Sequence, residues 1–139
     1  MPSPAEMSEV VRRAYEAFNR RDLGAFRAVA APGIEIHDLP DMPTQRGFRG
    51  PEALERFFED NWGTWETVWG DVERILEAGP DRVLVLARHA GRTRGGPEIA
   101  QARGVLVTFA ANGKINEIRF FAGPGEALAA AGLNEHHAA

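Results

Sequence analysis

The sequence contains no cysteine, which excludes a disulfide framework, a zinc–thiolate site, a thiol nucleophile and thiol redox chemistry. Long apolar runs are also missing. A run such as Val83 to Ala87 is far short of a membrane span, and the opening MPSPAEMSEV has neither a basic n-region nor an apolar h-region. A cytoplasmic protein with no membrane role is expected. Positive charge is in deficit: sixteen basic residues stand against twenty acidic ones, for a net charge of −4. The overall field repels nucleic acid, so no nucleic-acid partner is expected. Lysine is nearly absent, since fifteen of the sixteen basic residues are arginine; so lopsided a ratio reads as base composition rather than as chosen guanidinium contacts. There is no HExxH, no close set of histidines and acids on a recognisable metal-binding scaffold, no GxSxG elbow, no phosphate loop and no dinucleotide fingerprint. Metal, acyl-enzyme, nucleotide and nicotinamide chemistry are therefore not expected, and no cofactor is implied. His136 and His137 belong to the tail and make poor metal ligands.

What remains is an ordinary globular composition, 139 residues with 44% hydrophobic and 26% charged. That length suffices for one domain burying roughly two-thirds of its unfolded surface. The expectation is a single domain over 1–139, with 1–7 and 134–139 flexible. Val10, Val11, Ala14, Tyr15, Ala17 and Phe18 recur at helical spacing over Ser8 to Arg20, with Ser8 as a candidate N-cap. A second short helix runs from Asp22 to Ala30 and is expected to end at Pro32-Gly33. Ile34 to Asp38 alternates as a strand, and Leu39-Pro40, Met42-Pro43 and Gly47 read as a loop after it. Gly50-Pro51 opens a third helix carrying Leu54, Phe57, Phe58, Trp62 and Trp65 on its apolar face. Four strands follow, Val68–Glu77, Arg82–Arg92, Ala100–Ala110 and Ile115–Ala122. Gly79-Pro80-Asp81, Gly95-Gly96-Pro97 and Asn112-Gly113 separate them as turns. Ala127 to Leu133 adds a closing helical turn. Helices first and a meander afterwards give an α+β class with the helices on one face of a curved sheet. Charge is segregated, acids over Glu52–Asp81 and arginines over Arg82–Arg103, and reads as two solvated faces paired across strands.

The order of these elements resembles the nuclear transport factor 2-like superfamily, and within it the SnoaL-like and ketosteroid isomerase-like branch. The segments carrying the likeness are VVRRAYEAFNRRDLGAF, IEIHDLP, FRGPEALERFF, TFAANGKINEIRFF and the ending EALAAAGL, which together span Met7 to Leu133. The resemblance implies a cone-shaped, curved antiparallel sheet wrapped around N-terminal helices, a nuclear transport factor 2-like or cystatin-like architecture, with one apolar pocket open at one end. It places Asp38 at the family's catalytic carboxylate, which moves a proton from a C–H beside a carbonyl. The family's tyrosine donor matches Ala14, with Tyr15 one residue on, and its protonated aspartic acid matches Val105, so both oxyanion donors would have to be replaced.

Strand alternation supplies replacements. Arg103, Val107 and Phe109 share the side of Val105, while Val83, Val85, Ala87 and His89 form the next inward row. His89 and Arg103 would then face Asp38; a shift of one residue would bring Arg88 inward instead. Each candidate has a plainer reading. Asp38 adjoins a turn, where aspartate is common. His89 reads equally as a hydrogen-bonded core histidine, Tyr15 as a packed tyrosine bonded to a carbonyl, and Arg103 as a surface partner. His37 points away from Asp38. Phe18, Phe57, Trp62, Trp65, Val105 and Phe120 are expected to line the pocket, with Trp69 as core or wall. An epoxide hydrolase would need two acids bracketing an arginine in the meander, and the inward rows contain none.

Two functions follow. The first is a cofactor-free enzyme acting on a small, largely apolar metabolite, with Asp38 as general base and His89, Tyr15 or Arg103 stabilising an oxyanion or returning the proton. Isomerisation, aldol-type cyclisation and dehydration all fit that set. The second is a noncatalytic module holding a small hydrophobic molecule. Leu84, Leu86, Leu106 and Phe121 fall on the convex face and need cover, so a homodimer through the sheet is expected, as the resemblance also implies.

Overall fold

The computed structural model describes residues 2–38 and 47–133. Helix α1 spans Pro4–Asn19 and starts earlier than the apolar spacing indicates, because Ser3 and not Ser8 caps it. The Ser3 hydroxyl accepts from the Glu6 backbone N–H, and the Glu6 carboxylate accepts from the Ser3 backbone N–H. This reciprocal pair satisfies two otherwise orphaned donors and holds the Glu6 carboxyl below its usual pKa. Residues 4–7 thus already belong to this helix, and Met7 is 1% exposed, inside the core. The expectation for 134–139 lies outside the described residues.

Asp22 caps α2 (Leu23–Val29) through the Ala25 N–H. Strand β1 (Ala30–His37) follows at once, and Pro32-Gly33 falls inside it rather than ending the helix. Proline is tolerated there because β1 is an edge strand and its register shifts between Ala30 and Glu35. The loop expected after it lies outside the described residues, except Gly47. Helix α3 (Ala53–Thr64) begins two residues after Pro51, with Glu52 as N-cap. Strands β2 (Thr67–Glu77), β3 (Arg82–Arg92), β4 (Glu98–Phe109) and β5 (Ile115–Phe121) form the meander, and α4 (Pro124–Ala130) closes the described chain. Gly95 and Gly113 take positive φ, 74° and 85°, at the two later turns.

The sheet order is β1-β5-β4-β3-β2. The meander pairs antiparallel, but β1 runs parallel to β5, so the sheet is mixed rather than wholly antiparallel. No hairpin joins β1 to β5, so nothing obliges them to run in opposite directions.

Alternation assigns the two faces. Val83, Val85 and Ala87 on β3, with Val105 and Val107 on β4, pack with α1, α2 and α3 into one core. Leu84, Leu86 and Leu106 point the other way, where Ala127, Leu128 and Ala131 cover them and Phe121 packs alongside. The convex face therefore finds its cover within the chain, not only in a partner. A Cβ at Gly104 would collide with Ala127, so only glycine lets α4 lie this close to β4. Among the described residues no helix is long and apolar enough to cross a membrane.

Candidate functional site

The concave face does not close. Between α1, α3 and the sheet lies a cavity of about 440 Å³, within the size range of small-molecule sites. Its walls are largely apolar. Phe18 and Val11 contribute from α1, Phe57 and Trp65 from α3 and the residue after it, and Val105 and Phe120 from the sheet. Trp69 on β2 also reaches it.

Trp62 departs from the expected lining. It packs against Phe18, with centroids 5.9 Å apart, and the Arg21 guanidinium sits 5.2 Å over its ring. Helical geometry explains this. Phe57, Asn61, Thr64 and Trp65 share the cavity-facing stripe, whereas Trp62 follows Phe58 onto the neighbouring face.

The polar groups reach the cavity from three directions. Asp38, directly after β1 and partly buried, continues the inward alternation of Ile34 and Ile36 and lines the cavity wall. His89 and Arg103 line it from β3 and β4, as the inward rows require, while Arg88 is exposed on the opposite side. His37 points elsewhere, 3.8 Å from Glu117. Tyr15 from α1 also lines the cavity, and its hydroxyl meets His89 Nε2 at 2.8 Å rather than a carbonyl. Burial, and then the Arg103 guanidinium, push the His89 imidazole down to about 4. Burial pushes the Tyr15 phenol up. At neutral pH both are uncharged hydrogen-bonding groups.

This dyad depends on residues that carry no reactive group. A Cβ at Gly70 would lie 2.5 Å from Tyr15 Cε1 and 3.1 Å from His89 Cδ2, so a glycine must pass beneath the pair. Gly70 is held in turn by Asn19, whose amide nitrogen donates to its carbonyl at 2.9 Å and whose amide oxygen accepts from its N–H at 2.8 Å. Because β2 is an edge strand, the Asn19 side chain satisfies backbone groups that no strand pairs. Gly91 similarly seats the Trp65 ring, which a Cβ would meet at 2.8 Å.

Arg103 Nη1 donates to the Ala122 carbonyl at 2.5 Å. No carboxylate among the described residues pairs with its guanidinium, whereas Arg13, Arg27, Arg49 and Arg119 each have one. Asn61, Thr64 and Gln101 add neutral polar atoms to the lining. The sequence reading missed all three, although Gln101 shares the parity of Arg103 and Asn61 lies one turn from Phe57. Among the described residues no group of three or more His, Cys, Asp or Glu side chains is placed to hold a metal ion.

The fold fits one family, and a model of the SnoaL-like domain matches residues 11–118. The chain belongs to the SnoaL-like domain family. Solved structures resemble this SnoaL-like domain over most of its length. Bal32a, from a soil-derived mobile gene cassette, aligns with TM-score 0.75 and 23% identity over 84% of this chain and 88% of its own. A nuclear transport factor 2-like protein from Burkholderia thailandensis gives 0.72 and 25% over 87% and 91%. A Mycobacterium tuberculosis protein in complex with estradiol-17β-hemisuccinate gives 0.72 and 18% over 86% and 93%. No curated protein matches this SnoaL-like domain in sequence.

Proposed function

We propose that the protein is a cofactor-free enzyme that abstracts a proton from a C–H beside a carbonyl on a small, largely apolar substrate, with Asp38 as the base. The observation carrying this reading is that Asp38 lines the same apolar cavity as the Tyr15–His89 pair and Arg103. When Asp38 takes the proton, the C–H electron pair moves into the carbonyl and a charged enolate oxygen forms. That oxygen needs donors, which are worth most in an apolar site. Uncharged His89 with its proton on Nε2 donates to the Tyr15 oxygen, which frees the phenolic proton for the enolate. Return of the proton to another carbon gives isomerisation, attack of the enolate on a second carbonyl gives cyclisation, and expulsion of a hydroxyl gives dehydration.

Asp38 follows β1 and His89 lies on β3, and because the sheet curves around the cavity both face the same space, with Arg103 on β4 between them. The complex of the M. tuberculosis neighbour with a steroid ester supports a flat, polycyclic ligand. The spread of polar groups around an apolar wall also fits a second reading, a binding module whose polar groups grip a ligand without chemistry. Asp38→Asn tests both. The enzyme reading expects kcat to fall by about 10²- to 10⁴-fold, with Tm and ligand affinity nearly unchanged; turnover that survives the substitution contradicts it. A homodimer through the sheet belongs to the reading as the resemblance implies it, and a monomer by light scattering at micromolar concentration contradicts that part.

A further inference from the structure

The Arg103 guanidinium has five N–H donors, and the structure accounts for one of its nitrogens, Nη1 on the Ala122 carbonyl. Arg103 is half-buried on the wall of a largely apolar cavity and forms no ion pair with a carboxylate among the described residues. Beside apolar walls a guanidinium binds an anion more strongly than it would in bulk water. The other basic group lining the cavity does not compete for that anion, because His89 is uncharged and committed to Tyr15. Of the carboxylates lining the cavity, Asp38 follows β1, two strand spacings from β4, and Asp60 lies on α3, so negative charge on a ligand is favoured beside Arg103.

We infer that the cavity selects a flat, apolar ligand carrying one anionic oxygen group, a carboxylate or an acidic phenol or enol, seated on Arg103 with its hydrocarbon body along the aromatic wall toward Asp38. This rests on the reading of the cavity as a ligand site and adds a substrate class and an orientation. The planar fork of Arg103 matches a carboxylate through two parallel hydrogen bonds. An anion held there turns the opposite edge of the ligand, and its C–H bonds, toward the base.

A matched pair of probes tests the inference without knowledge of the natural substrate. Estradiol-17β-hemisuccinate and its methyl ester share one hydrocarbon body and differ in a single charge. Calorimetric titration of the wild type is expected to give an affinity for the acid at least about tenfold above that for the ester, shrinking as salt is raised. Arg103→Met is expected to erase the preference, bringing the acid down to the affinity of the ester; Arg103→Lys, which keeps the charge, retains part of it and controls for loss of the Ala122 contact. Equal affinities in the wild type, binding of neither probe, or a preference that survives Arg103→Met overturns the inference. Asp38→Asn is expected to keep the acid preference in full. Loss of turnover in that variant therefore reports on the base, and loss of the preference in Arg103→Met reports on the anion seat.

Discussion

The two faces of the central sheet are built from alternate residues of the same strands and reach opposite outcomes. On the convex face Leu84, Leu86 and Leu106 meet Ala127, Leu128 and Ala131, and the fit is so close that Gly104 has no room for a side chain. On the concave face two helices span the sheet with aromatic rings and leave a cavity, lined by two carboxylates, Asp38 and the exposed Asp60, one guanidinium and a tyrosine–histidine pair. The filled face is completed by the chain's own helix α4. The open face leaves packing unfinished and polar donors unspent, which a ligand can complete.

Substitutions on the two sides sharpen this contrast. The largest effect is expected from pH. His89, between Tyr15 and Arg103, has a folded-state pKa of about 4 against an ordinary 6.5. Between those values the unfolded chain binds a proton that the folded chain does not, so stability is complete above pH 6.5 and falls as pH drops toward 4. The loss amounts to roughly 3 kcal/mol. Urea unfolding at pH 7 and pH 4 should show it in the wild type and a flatter response in His89→Gln, which keeps a donor for Tyr15 and does not titrate. Equal slopes would place the acid sensitivity elsewhere.

On the convex face, Gly104→Ala forces α4 away from β4 and is expected to cost about 1–3 kcal/mol without altering ligand affinity; an unchanged melting temperature would mean that the helix is not tightly docked. Tyr15→Phe deletes the hydrogen bond to His89 and is expected to cost about 1 kcal/mol, read by the same unfolding measurement. The smallest effect is expected at the rim. Ile99, 46% exposed and bordering the cavity, should change stability by less than about 0.5 kcal/mol when replaced by serine. Titration with an apolar probe should nevertheless show weaker binding, and unaltered binding would remove Ile99 from the ligand path.

Much of this was legible in the sequence because period-two alternation is a strong constraint wherever a strand buries one face. It sends Val83, Val85 and His89 one way and Leu84 and Arg88 the other, and the structure agrees. The start of α1 is also written in the chain, as a serine three residues before a glutamate with proline between them, although the helical apolar spacing begins only near Val10. Other features depend on tertiary neighbours. Nothing near Pro32-Gly33 announces that a sheet edge will tolerate them, and Trp62 and Trp65 look alike until the helix is placed against α1. The roles of Gly70 and Asn19 arise from residues 51 positions apart and leave no local signature. The cover over Leu84 and Leu106 likewise comes from a small alanine-rich helix, not from a conspicuous apolar stretch.

The central claim, that Asp38 moves a proton from carbon inside the cavity, can be measured before any natural substrate is known. Incubating 2-tetralone with the protein in D₂O and following its C–H signals beside the carbonyl by NMR reads proton abstraction alone. The account predicts exchange faster than in buffer and reduced to the buffer rate by Asp38→Asn. Exchange at the same rate with wild type, variant and buffer would contradict it.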